Sequence, residues 1–304
     1  MAFFLPAIGL ISGVLRIVQF GMDNFAGGDT GGAKVRVHAG LGQNSSQSMG
    51  GEIHQIYGFN YYGKLLGQSD QDIGVEDGGF ADITIHQDEG ETVASRYINL
   101  ISGDDATCIV YIATTQPDGF KRTWLGDVGY SCGQTWYESG YTVGTDQDGN
   151  NYQPKCTWID GNGDPTNTVS MKIDTEFYVV KHGHVDPQMD ICGGTTWSDS
   201  SEPIPDKRSI KQRPEKHNHV LIVSTLPSSS AEELCAHENS MGPDFVSLRE
   251  NAFCDMDAKE LYPLCDDIIT SDCFNLQARA IAHRGSNGRI ASYKPSPYKD
   301  VVTW

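Results

Sequence analysis

The sequence predicts a mainly β protein: an antiparallel β-sandwich or barrel, preceded by an amphipathic N-terminal helix and followed by a small disulfide-stapled α-rich region. Three observations lead there. Thirty-four glycines accompany 13 tyrosines, 11 phenylalanines and 5 tryptophans in 304 residues, the composition of many short strands joined by tight turns. Apolar and polar residues alternate with period two in segment after segment from residue 34 to 180, without helical periodicity between them. Eight cysteines divide evenly about residue 200.

The first element is the helix, residues 1–26. No residue from Ala2 to Leu15 is charged. Ser12, Arg16, Gln19 and Asp23 follow at steps of four, three and four, which makes one narrow polar stripe on a helix. Phe4, Leu5, Ile8, Ile11, Val14, Leu15, Val18 and Phe20 belong to the wide apolar face. Pro6 suits a first turn and Gly21 an end. Four readings stay open. A secretory signal peptide has this apolar core, but a basic leader and an A-x-A-like cleavage site are missing. A membrane span places Arg16 near its centre at a cost of about 3 kcal/mol. A helix docked on its own domain, or self-associating through the apolar face, matches the polar stripe better. A membrane-surface helix matches too, with fewer Lys and Arg than usual.

After a glycine-rich connector, residues 33–194 read as the antiparallel β domain. Val35, Val37, Ala39 and Leu41 alternate with Lys34, Arg36 and His38, and Ala81, Ile83 and Ile85 do the same with Asp82, Thr84 and His86. Thr107–Thr114 is richer in apolar residues and reads as a central strand. Pro117-Asp118-Gly119 turns the chain back into Lys121–Leu125. Further strands are expected at Ile53–Tyr62, Val93–Ile101, Thr135–Val143, Lys155–Ile159 and Val169–Val180. Some nine strands without helices between them argue for antiparallel packing.

Residues 195–218, rich in Ser, Pro, Lys and Arg, read as a linker. It carries Lys207-Arg208, a dibasic pair of the kind cut in exposed secretory loops, or else an ordinary basic loop. In residues 219–304, His219–Leu226 reads as a strand and Ser230 as the cap of a helix from Ala231 to about Glu238. Asp257 and Asp272 are expected to cap two more short helices, the last running from Cys273 to about His283.

The cysteines are Cys108, Cys132, Cys156 and Cys192, then Cys235, Cys254, Cys265 and Cys273. None forms the C-x-x-C pairs of a zinc ribbon or thioredoxin-like site. Two disulfides in each half is the simplest account, with connectivity open, and it implies an oxidising, extracellular or cell-surface setting. The alternative is eight reduced thiols inside a cell. The formal charge is −18; residues 1–200 hold 25 acids and 10 bases, and residues 201–304 hold 15 and 12. An acidic first part repels phosphate backbones, which argues against nucleic acid as a partner.

Several constellations are candidates for chemistry. Asp160-Gly161-Asn162-Gly163-Asp164 places oxygen side chains at alternate positions, and Asp146 and Asp148 precede it in a similar loop. Together Asp146, Asp148, Asp160, Asn162 and Asp164 form a candidate Ca²⁺ site, against the simpler reading of paired Asx turns. His182, His184 and Asp186 form an H-x-H-x-D run, a transition-metal pattern weaker than strand and linker histidines as an explanation; His217 and His219 repeat its spacing. Trp124, Trp136, Tyr137 and Trp158 are a candidate glycan platform, although aromatics also fill sandwich cores. Asn44 heads the single N-glycosylation sequon. No nucleophile elbow, P-loop or dinucleotide fingerprint occurs, so catalysis is the minority expectation.

Several segments resemble a group of uncharacterised proteins of filamentous ascomycete fungi. They are Ser12-Gly13, Ile17-Val18-Gln19-Phe20-Gly21 and Asp23-Asn24-Phe25, then Trp124-Leu125-Gly126-Asp127 with Gly129, Cys132-Gly133 and Trp136-Tyr137. Cys156, Trp158-Ile159-Asp160, Asn162-Gly163-Asp164, Gly242-Pro243-Asp244-Phe245 and Phe253-Cys254 complete the likeness. The resemblance implies provenance, and it implies that the opening helix belongs to the working protein. It carries no activity. The leading expectation is a non-enzymatic extracellular or surface protein that forms homo-oligomers through its helix and binds glycans. The alternatives are a membrane-active protein, pore-forming or lipid-binding, and a secreted hydrolase.

Overall fold

The computed structural model describes residues 31–42, 48–87, 93–145, 151–162, 168–177, 191–203, 220–284, 290–293 and 298–304. Residues 1–26, where the amphipathic helix is expected, lie outside them, as do Asn44, Asp146, Asp148, Asp164, His182, His184, Asp186, Lys207, Arg208, His217 and His219. The chain divides into two units, Met1–Pro214 and Glu215–Trp304.

The first unit runs β1 (Lys34–Ala39), β2 (Gly51–Phe59), β3 (Leu65–Gln68), β4 (Ile73–Val75), β5 (Phe80–Thr84), β6 (His86–Gln87), β7 (Tyr97–Ser102), β8 (Thr107–Thr115) and β9 (Lys121–Leu125). Helix α1 (Gly126–Ser131) follows, then β10 (Trp136–Glu138), β11 (Gly144–Thr145), β12 (Asn151–Tyr152), β13 (Lys155–Ile159), β14 (Ser170–Asp174) and β15 (Thr195–Ser198). One sheet has the order β10-β13-β8-β1-β5, with β9 also on β8; the other has β15-β14-β7-β2-β3-β6, with β4 also on β2. Every pairing in both sheets is antiparallel. Val35, Val37, Ile109 and Ile112 from the first sheet share one core with Ile53, Ile56, Ile98, Leu100 and Met171 from the second. This is the predicted sandwich.

Thr107–Thr115 is the central strand its apolar run suggested, buried at every position but the last. Its free edge is divided between two partners. β9 pairs with Tyr111 to Thr115, and β13 with Thr107 to Ile109. Where β9 leaves the sheet, the chain turns into α1, which packs on β13. Gly126 and Gly129 permit that approach: a Cβ at Gly126 would overlap the carbonyl oxygens of Lys155 and Ile109, and one at Gly129 the Thr157 side chain. Two glycines in six residues hid this helix from sequence reasoning.

The expected linker begins too early. Thr195–Ser198 is β15, paired to β14 with Trp197 buried in the core, and the division between units falls at Pro214.

The second unit corrects the α-rich expectation. It comprises β16 (Val220–Ser224), α2 (Ala231–Ala236), β17 (Asp244–Ser247), β18 (Ala252–Asp255), β19 (Glu260–Pro263), β20 (Cys273–Asn275), β21 (Ala280–Arg284), β22 (Ile290–Tyr293) and β23 (Asp300–Thr303). Only the first expected helix exists, with the Glu233 N–H donating to Ser230 Oγ as a cap should. β16 is buried throughout and lies parallel to β17 and β23, with α2 in the crossover.

The other two expected helices are hairpins. Three hairpin loops here share one plan. A Ser, Asp or Asn accepts the backbone N–H three residues on: Ser247 Oγ from Glu250 (3.4 Å), Asp255 Oδ1 from Ala258 (2.9 Å), Asn275 Oδ1 from Ala278 (2.7 Å). The loop closes on a residue in the left-handed region, Asn251 (φ 50°), Lys259 (56°) and Arg279 (52°). Left-handed Lys and Arg give no turn signal in sequence, and Asp-Met-Asp-Ala-Lys reads as a capped helix start.

All eight cysteines pair, as Cys108–Cys156, Cys132–Cys192, Cys235–Cys254 and Cys265–Cys273. Two disulfides fall in each unit, as expected, and they belong to a protein of an oxidising environment. Among the described residues no helix is long and apolar enough to cross a membrane.

Candidate functional site

Three of the four aromatic residues expected to form a glycan platform fill the interior instead. Trp136 and Tyr137 are 0% exposed and Trp124 2%; Trp158 is half-buried. Trp124 lies edge-on to Trp197, centroids 6.0 Å apart, and its Nε1–H donates to Thr195 Oγ1. Trp136 meets Tyr130 of α1 edge-on at 4.7 Å. Trp197 of the opposing sheet thus covers Trp124, and α1 covers Trp136. A sugar has no access to Trp124, Trp136 or Tyr137.

Polar groups are buried with them. Lys155 Nζ lies 2.5 Å from Glu138 Oε1, with the glutamate side chain 1% exposed, and Asp127 accepts from Tyr152 Oη (2.7 Å) and the Lys155 N–H. Burial pushes the Asp127 carboxyl up and outweighs these bonds. On β1, His38 is 2% exposed among Phe80, Tyr111 and Tyr141. Its Nδ1–H donates to Ala39 O, and burial holds the imidazole down at about 4, with the Arg36 charge adding to the effect.

The exposed aromatics lie elsewhere. Tyr61 (67% exposed), Tyr62 (88%) and Phe120 (60%) stand at one end of the sandwich around a cleft of about 670 Å³. Four chain segments build its rim and floor: the β2–β3 turn, the approach to β7, the β8–β9 turn, and the residues just after β14.

Each segment is stapled by a side chain. Asn60 Oδ1 accepts from the Tyr62 and Lys64 N–H groups, which fixes the tyrosine turn. Asp118 Oδ1 accepts from the Phe120 N–H. The Gln116 amide bonds Ser95 twice, accepting from its N–H and donating to its carbonyl, to which Thr175 Oγ1 also donates. Asp174 Oδ1 accepts from the Glu176 and Phe177 N–H groups. Arg96 is held by Asp174 (2.8 Å) and by Glu176, with its guanidinium 5.7 Å from the Tyr61 ring. Tyr61 and Tyr62 meet edge to face at 5.5 Å. Rigid loops presenting exposed rings lower the ordering cost of binding.

Ser95, Arg96 and Arg122 line this cleft, and Ser95 Oγ, Arg96 Nε and Arg122 Nε are buried without a hydrogen-bond partner among the described residues. Sequence reasoning missed the site because Phe120 lies 58 positions beyond Tyr62, in the turn of a different hairpin. The available signal was local: adjacent tyrosines between Asn60 and Gly63, and Phe120 directly after Asp118-Gly119.

Of the candidate Ca²⁺ ligands, Asp160 and Asn162 are described. Asp160 is 4% exposed, and its Oδ1 accepts from the Asn162 N–H at 3.2 Å, the Asx turn that was the competing reading. Among the described residues no three His, Cys, Asp or Glu side chains gather as metal ligands. No protein-family model matches the chain, and no curated protein matches it significantly.

Proposed function

We propose that this is a non-enzymatic extracellular or surface protein, of fungal provenance, that binds glycans in the end cleft of its sandwich and assembles through its opening helix. The observation that carries the glycan reading is the cleft itself. Three exposed aromatic rings, Tyr61, Tyr62 and Phe120, stand on stapled turns around about 670 Å³. Pyranose rings offer apolar faces to aromatic side chains and hydroxyls to a polar rim. Asn60 and Glu176 supply that rim. The four disulfides support the extracellular setting.

A broad glycan array, followed by calorimetry on the best ligand, tests the reading. Tyr62→Ala and Phe120→Ala each remove one sugar-facing ring. Each is expected to weaken binding about tenfold, the equivalent of ~1.4 kcal/mol, with unchanged melting temperature because both rings are solvent-exposed. Binding that survives both substitutions would refute the cleft as the site.

The assembly rests on the apolar face of residues 1–26, which needs a hydrophobic counterpart. Native mass with and without residues 1–25 tests it: a higher-order species that falls to monomer on deletion is expected, and an unchanged mass refutes it. Leakage from liposomes that requires the same residues would favour membrane insertion in its place.

A further inference from the structure

We infer that the cleft selects saccharides carrying a carboxylate, uronic-acid sugars, and that Arg122 is the residue that reads the charge. The inference rests on the glycan reading above and adds the class of sugar.

The cleft contains two guanidinium groups, and they stand differently. Arg96 is engaged by two carboxylates, Asp174 and Glu176, so its charge is compensated. Arg122 makes no ion pair among the described residues. Its Nη1–H donates to the Lys121 carbonyl at 2.9 Å, and its Cζ lies 5.0 Å from the centroid of the exposed Phe120 ring. A half-buried guanidinium without a carboxylate partner, beside an exposed ring, suits a planar anion. The two acidic groups of the cleft do not satisfy it. Glu176 is held by Arg96, and Asp118 turns one oxygen back to the Phe120 N–H.

Charge also says which anion. Residues 1–200 carry 25 acids against 10 bases, a surface that repels long polyanions. A sugar bearing one carboxylate per ring face meets a single local cation, and its apolar face meets Phe120 or Tyr62. Isolated uronate residues on an otherwise neutral oligosaccharide fit this pattern.

The test compares one uronate-bearing oligosaccharide with its carboxyl-reduced form, in which each carboxylate has become a neutral hydroxymethyl group. Titration calorimetry at about 150 mM salt, where the Debye length is about 8 Å, measures local recognition. The wild-type chain is expected to bind the acidic form at least tenfold more tightly than the reduced form. Arg122→Gln is expected to bind the two forms equally. Arg122→Lys, which keeps the charge but loses the fork, is expected to fall between. Melting temperatures identify any variant that fails to fold, and Arg122→Lys then carries the comparison. Equal binding of both forms by the wild type would overturn the inference and leave the glycan reading standing. So would a preference that persists in Arg122→Gln. Absence of binding to either form, to neutral glycans on the array, and of any effect of Tyr62→Ala would remove the glycan reading itself.

Discussion

His38 sets a pH dependence that can be worked from its surroundings. The ring is 2% exposed, with Tyr141 at 4.2 Å, Tyr111 at 4.8 Å and Phe80 at 6.2 Å, centroid to centroid. Burial lowers its pKa from 6.5 to about 4; the bond to Ala39 O opposes this, and the nearby Arg36 charge assists it. The unfolded chain therefore binds a proton between these values that the folded chain refuses. Stability from this group is fully present above pH 6.5 and is lost as pH falls towards 4. At 1.36 kcal/mol per unit, the loss is about 3 kcal/mol. Denaturant unfolding followed by tryptophan fluorescence, at intervals between pH 7.5 and 4, measures it in wild type and in His38→Phe, which fills the same aromatic box without titrating. The difference between the two proteins is expected to change by about 3 kcal/mol over that range, in favour of the variant at low pH. Arg36, paired with Asp82, stays charged throughout and cancels. Parallel pH profiles would refute the reasoning: they would mean that His38 is hydrated or protonated in the folded state.

The second unit should respond with the opposite sign. Burial raises the Asp244 carboxyl to about 6, against bonds from Tyr298 Oη and the Met256 N–H. Stability from its protonated form is present below about pH 4 and is lost as pH rises through 6, by about 3 kcal/mol at most. Asp244→Asn should flatten that slope in hydrogen exchange of β17 amides; an unchanged slope assigns it elsewhere. Gly129→Ala forces a methyl into the Thr157 side chain, which is 0% exposed, and should cost about 1–3 kcal/mol in the unfolding free energy. Thr157→Ala in the same chain should recover part of it, and strict additivity of the two changes would show that they do not touch.

Antiparallel β architecture was legible in the sequence, with sandwich and barrel both open. Alternation in Lys34–Ala39 and Phe80–Thr84, and the apolar run of Thr107–Thr115, can be buried only as strands, because a side-chain period of two commits each residue to a face. Even cysteine usage likewise pointed to two disulfides per unit, against the alternative of reduced thiols, and Ser230 marked the start of one helix. The sequence did not determine which partner each strand meets. Asp255–Lys259 and Asn275–Arg279 carry helix-forming residues, and the antiparallel pairing of their flanks overrode that preference by holding Lys259 and Arg279 in the left-handed region. The candidate site followed the same logic. Trp124, Trp136 and Tyr137 were visible as an aromatic cluster, yet whether a ring faces water depends on what covers it, and here the opposing sheet and α1 do. Tyr61, Tyr62, Phe120 and Arg122 became one cleft only when two hairpin turns, distant along the chain, came to the same end of the sandwich. Periodicity is a local property of the chain, whereas exposure and proximity belong to the packed molecule.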